Sequence, residues 1–214
     1  MVLLWIGVAV AAIALIAAII WGISKLHRRK QLEAQEMERK AQDEEQTKLT
    51  ARWQTVIDRH EAMRLNVLKA ETDWDMLFDL PALTDIKIRA TSRLYHAMRD
   101  AENTIPGMPT KFNLYTDLNT LPYPKAVRAF EDAWEAAYAN AQRISTTKIP
   151  AKEQKTIQRI RALLTLAEGA GATDHERHTA YTQIHKMLGD LKTIKVPKRA
   201  RLHIEEKQRL ALAI

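Results

Sequence analysis

The sequence predicts an all-α protein: a single N-terminal transmembrane helix, a helical stalk, then an antiparallel bundle of about five helices. Three observations carry this expectation. Residues 1–23 hold no charged side chain. The rest is dominated by Ala, Glu, Lys, Arg, Gln and Leu, with only 6 Gly and 7 Pro in 214 residues, a helix-forming composition. From Trp53 onward, apolar residues recur in steps of three and four, the period of one helix face.

The opening run reads MVLLWIGVAVAAIALIAAIIWGI. As a helix, residues 2–23 reach about 33 Å, enough for a hydrocarbon core of about 30 Å. A cleaved signal fits poorly, because nothing basic precedes the run and its core exceeds the usual length of about 7–15 residues. Trp5 and Trp21 fall about 24 Å apart along a helix, where indoles favour the two headgroup interfaces. The cations follow the run, at Lys25, Arg28, Arg29 and Lys30. The positive-inside rule therefore puts the C-terminal body in the cytoplasm, beneath the inner membrane. These four side chains also face anionic headgroups, at about 1 kcal/mol each. Gly7, Ala11, Ala14, Ala18 and Gly22 form a small-residue stripe of the kind that lets helices approach in lipid, but Ala and Gly are common in any membrane span, so the stripe reads as ordinary span composition, with self-association as the alternative.

The chain accordingly divides into an anchor (1–24), a basic juxtamembrane segment with a charged stalk (25–50), and a helical bundle with a basic end (51–214). Residues 31–48 are polar on every side, with Glu36 and Lys40, and Glu44 and Lys48, in the favourable i,i+4 orientation. No Gly or Pro interrupts them, so a solvated helix is expected rather than a flexible linker.

Trp53, Val56, His60, Met63, Val67, Ala70, Trp74 and Leu77 make a heptad seam that serves either a coiled coil or the chain's own bundle, and the bundle is favoured. His60 on this seam reads as a hydrogen-bonded core residue rather than a metal ligand. Pro81 stops the helix. Asp75 and Asp79 form an i,i+4 pair that reads as a solvated face rather than an acid–base or metal couple. A second helix is expected over 85–102, with Leu94, Tyr95, Met98 and Ala101 inward.

The irregular region 103–123, with Pro106, Pro109, Pro122 and Tyr123, is long for a compact domain and is the best partner-contacting surface. Pro124 opens the third helix, with Val127, Phe130, Trp134, Ala137, Ala141 and Ile144 on one face. The next helix follows Pro150, with Ile157, Ile160, Leu164 and Ala167 inward, and ends at Gly169. Thr173 and Glu176 form a capping box that starts another, striped by Ala180, Ile184, Met187 and Leu191. A basic helix over 198–212 completes the chain.

Composition and motifs restrict the chemistry. With no cysteine, there is no disulfide framework, thiol nucleophile or thiolate metal site. Gly169-Ala-Gly171 lacks the preceding strand and third glycine of a dinucleotide fingerprint. His175 and His178 could share an ion, but His185 lies two turns on, and no HExxH occurs. No serine sits in a nucleophile elbow and no phosphate loop exists. The expectation is a protein that is not an enzyme, with no catalytic, cofactor or metal residues.

Charge is uneven. Residues 1–144 hold 19 Lys+Arg and 19 Asp+Glu, leaving 14 and 7 of the chain's 33 and 26 to residues 145–214, so the net +7 resides at the C-terminal end. Lys192, Lys195, Lys198, Arg199 and Arg201 are its candidate polyanion contacts, although the aromatic interleaving of single-strand binders is missing.

The order Leu80-Pro-Ala-Leu-Thr-Asp85, Val127-x-x-Phe130-Glu131-x-Ala133-Trp134-x-x-Ala137, Ile160-x-x-Leu163-Leu164-x-x-Ala167, Glu176-Arg177-x-x-Ala180-Tyr181 and Val196-Pro197 resembles a group of conserved actinobacterial proteins also met in their phages. Members are typically tethered or helical and carry no assigned activity. The resemblance covers residues 50–205 and implies an actinobacterial inner-membrane setting, without site residues to carry over.

The functional expectation is a membrane-tethered scaffold whose cytoplasmic bundle engages a protein partner or a second copy, with the lipid bilayer as its fixed partner. The alternatives are a tethered nucleic-acid binder acting through the basic end and, from the phage half of the resemblance, a membrane lysis or exclusion factor.

Overall fold

A computed structural model describes residues 2–107, 109, 112–115, 117–144 and 149–211, with side chains from residue 27 onward and at Trp21 and Lys25. Among these residues the regular structure is entirely helical: α1 (Val2–Thr72), α2 (Trp74–Asp79), α3 (Arg89–Asn103), α4 (Pro122–Ile144), α5 (Ala151–Glu168), α6 (Asp174–Asp190) and α7 (Lys198–Leu210). Two single 3-10 turns, Pro81–Leu83 and Leu118–Thr120, join them. The all-α class is as expected. Among the described residues no helix is long and apolar enough to cross a membrane. The side chains of residues 2–20, Trp5 included, on which the anchor expectation rests, lie outside the described residues.

The chain forms two compact units, Met1–Trp53 with Pro109–Thr116, and Gln54–Met108 with Asp117–Ile214. This differs from the expected single bundle over 51–214, and the reason lies in one side chain. In the first unit the Gln46 amide donates to the Phe112 carbonyl (2.6 Å) and accepts from the Phe112 N–H (3.0 Å). It thereby stands in for a neighbouring peptide. The Phe112 ring packs on Trp53 at 5.8 Å, and Leu49, Trp53 and Phe112 are all buried. The middle of the proline-rich region thus belongs with the stalk.

The second unit has two hydrophobic cores rather than one. Val67 and Ala70 of α1, Leu94 and Ala101 of α3, and Phe130, Ala137 and Ala141 of α4 make the first. Ile157, Ile160 and Leu164 of α5, Tyr181, Ile184 and Leu188 of α6, and Ala200 and Ile204 of α7 make the second. The short segment after α1 serves both: Leu77 and Phe78 enter the second core, while Ala82 and Leu83 enter the first. Each buried leucine- or phenylalanine-sized side chain contributes about 1.5–3 kcal/mol.

The helix expected to run through Trp74 and Leu77 breaks at Asp73. Its backbone is extended (φ −80°, ψ 119°) and its carboxylate accepts the Met76 N–H at 2.9 Å, an N-cap that ends one helix and starts the next. Trp74 leaves the seam as a result and stacks on Phe78 at 5.9 Å. The following helix starts at Arg89 rather than 85, because the Asp85 carboxylate takes the Lys87 N–H at 3.0 Å in an Asx turn. The Thr91 hydroxyl, buried beneath, donates to the Ala82 carbonyl at 2.6 Å. Pro122 rather than Pro124 opens α4, so Tyr123 and Pro124 are buried helix residues and not loop. The Thr173–Glu176 capping box forms as expected, with both reciprocal bonds present.

Candidate interaction surfaces

The basic end is built on an alternating pattern. Between α6 and α7, Leu191, Ile194 and Val196 are buried while Lys192, Thr193 and Lys195 are exposed. The apolar residues hold an extended segment against the second core, which turns the lysines outward. Glu153 of α5 fixes the bend: its carboxylate accepts the Lys192 N–H (3.3 Å), the Thr193 N–H (3.1 Å) and the Thr193 hydroxyl (3.1 Å). The Thr84 hydroxyl donates to the Lys195 carbonyl at 3.2 Å.

Lys198 and Arg201, on the first turn of α7, are exposed. None of Lys192, Lys195, Lys198 and Arg201 makes an ion pair among the described residues, so their charges face solvent together. Arg199 differs. It pairs with Glu71 of α1 at 3.1 Å, and the same carboxylate accepts the Tyr95 hydroxyl of α3 at 2.9 Å. Burial, reinforced by Glu71, pushes the Tyr95 phenol well above its ordinary range. Of the five candidate polyanion contacts, Arg199 is therefore engaged in a structural tie between α7, α1 and α3. The sequence offered no signal for it, since the partners lie 128 residues apart.

The seam residues Trp53, Val56, His60, Val67 and Ala70 are buried within the chain, and Met63 is half-buried. His60 is 3 % exposed. Its Nδ1 lies 3.0 Å from the Tyr123 hydroxyl, and its ring meets Tyr123 and Phe130 edge-on at 5.7 and 6.0 Å. Nε2 is buried without a hydrogen-bond partner among the described residues. Burial first, and then the Arg64 charge, hold its pKa below the ordinary value, against opposing pulls from Glu102 and Glu61. Beside it, Arg59 makes a bidentate pair with Glu131 of α4.

Asp75 and Asp79 are exposed, and each also has an ion-pair partner. Both reach Arg161 of α5, at 3.3 and 2.8 Å, and the guanidinium lies over the Phe78 ring at 5.7 Å. Their carboxylates clamp α2 onto the second core. His175, His178 and His185 do not converge: His175 is exposed, His178 Nδ1 lies 3.3 Å from the Gln208 carbonyl, and His185 faces Glu205 at 3.9 Å. Among the described residues no group of three or more His, Asp or Glu is placed to hold a metal.

Two exposed surfaces remain. In the first unit, Leu114 and Tyr115 follow the pinned Phe112, and Tyr115 is 97 % exposed. In the N-terminal half of α1, Lys25, Arg28, Arg29 and Lys30 are exposed, and the Lys25 ammonium sits 4.8 Å over the Trp21 ring, a cation–π contact. Residues 27–45 are exposed throughout, as a polar helix requires.

Comparison with known protein families, curated proteins and solved structures finds no match.

Proposed function

We propose that this chain is a membrane-tethered scaffold without catalytic activity of its own, whose helical body is offered to a protein partner or a second copy on the cytoplasmic side. The observation that carries the reading is the charge-free run 1–23, followed by four exposed cations and a helix solvated on all faces through residue 45. Such an order suits a span, its headgroup contacts and a stalk. Confinement at a bilayer raises the effective concentration of the body, so weak contacts suffice. The exposed Leu114–Tyr115 tip and the polar stalk are the surfaces it would use. The resemblance to tethered actinobacterial and phage proteins is the reason for placing it in such an inner membrane.

A second reading has one observation in its favour: Lys192, Lys195, Lys198 and Arg201 present unpaired charge along one bend, a footprint that fits nucleic-acid phosphates. Pulldown of the tagged full chain from actinobacterial membranes, at low and high salt, separates the two. A protein recovered at both salts supports the scaffold. Nucleic acid lost at high salt, and lost also on charge reversal at Lys195, Lys198 and Arg201 with Arg199 spared, supports the second reading.

A further inference from the structure

We propose that the junction of α5, α6 and α7 is a binding site for a free aliphatic α-amino acid, held by both of its charged groups. The inference is independent of the scaffold reading. A cavity of about 360 Å³ opens there, lined by Glu168 from the end of α5, Asp174, Arg177 and Tyr181 of α6, and Lys207 and Leu210 of α7. Its size falls at the small end of ligand pockets, which run from about 300 to 1,000 Å³.

Four charges meet at this cavity without neutralising one another. Among the described residues, Glu168, Asp174, Arg177 and Lys207 make no ion pair; Arg177 spends one Nη on the Gly169 carbonyl at 3.3 Å. Tyr181 is 4 % exposed and its hydroxyl makes no hydrogen bond among the described residues, which leaves it free to donate, while the Arg177 Nε is buried without a partner among the same residues, whereas a buried polar group ordinarily has one. Burial, with Glu168 nearby, pushes the Tyr181 pKa up, so it stays a donor.

The donor set selects the ligand. A simple anion would meet Glu168 and Asp174, and a simple cation would meet Arg177 and Lys207. A zwitterion satisfies both, with its carboxylate toward Arg177, Lys207 and the Tyr181 hydroxyl, and its ammonium toward the two carboxylates. Such charge-assisted bonds are the strong ones. Leu210 supplies an apolar wall, which suits an aliphatic side chain.

The test is calorimetric titration of the full-length protein in detergent with L-leucine, L-valine and L-methionine, then with N-acetyl-L-leucine and L-leucinamide. Binding of at least one free amino acid is expected, with either blocked leucine derivative weaker than leucine by about tenfold or more. Tyr181→Phe and the exposed Lys207→Gln should each weaken binding by a similar factor, with helix content and melting temperature unchanged for Lys207→Gln. The proposal is overturned if none of the three titrates at up to about 10 mM, or if the blocked derivatives bind as well as the free amino acid.

Discussion

Acidification should loosen the second unit through His60, and the size of the effect follows from its surroundings. In the folded chain the neutral ring uses one nitrogen on the Tyr123 hydroxyl and buries the other without a partner among the described residues. A proton there would bring a charge into the Tyr123 and Phe130 contact, near Arg64 and only partly offset by Glu61 and Glu102. The folded pKa therefore lies below the unfolded value of 6.5. The unfolded chain then binds the extra proton, so this stability is fully present above pH 6.5. It is lost as pH falls from there through the folded pKa. One proton sets the limiting slope, about 1.4 kcal/mol per pH unit.

Urea unfolding followed by far-ultraviolet circular dichroism, at pH values from 7.5 to about 5, measures the slope. Other titrating groups contribute too, so the informative quantity is the difference from His60→Phe. That variant keeps a ring in the same site and has no nitrogen to protonate. Wild type should lose stability faster than the variant below pH 6.5, with the two curves parallel above it. Equal slopes in both proteins, or a wild type that gains on the variant as pH falls, would refute the reasoning.

Arg161→Ala removes two ion pairs and a cation–π contact from a half-exposed site, and should cost about 1–2 kcal/mol in urea unfolding. Asp79→Asn, which removes the 2.8 Å pair, should cost more than Asp75→Asn at 3.3 Å. Thr173→Ala removes the α6 cap and should cost about 1 kcal/mol, read by the same method. Gln46→Ala should speed hydrogen exchange at the Phe112 amide in the full chain, because that N–H loses its acceptor, while leaving exchange in α5 unchanged. Arg199→Glu places a carboxylate against Glu71 and should lower the melting temperature, whereas Lys198→Glu should not.

What the sequence made legible was local. The stripe Val127, Phe130, Ala137 and Ala141 is buried as its spacing predicts, and the Thr173–Glu176 box caps the helix it announces. These features need only residues within a turn or two of one another. The break at Asp73 was hidden because Trp74 and Leu77 continue the heptad count across it. Only the Asp73 carboxylate on Met76 reveals that a cap had interrupted a seam. Asp75, Asp79 and Arg199 look like solvated charge in the sequence, since nothing local shows Arg161 or Glu71 as partners. Gln46 is one polar residue among many, and nothing local announces its pairing with Phe112, 66 residues on, in the stretch Pro109–Thr116 that groups with the first unit. The α5–α6–α7 cavity likewise draws its charges from three separate helices.

Under the proposed function, the first 23 residues hold the chain in a bilayer with its body in the cytoplasm. The direct measurement is alkaline carbonate extraction of membranes from cells expressing the full chain with a C-terminal tag, paired with protease treatment of intact spheroplasts. With such an anchor the protein stays in the extracted membrane pellet and the tag survives protease until the membrane is opened. Release into the carbonate supernatant, or a tag digested in intact spheroplasts, would contradict this placement.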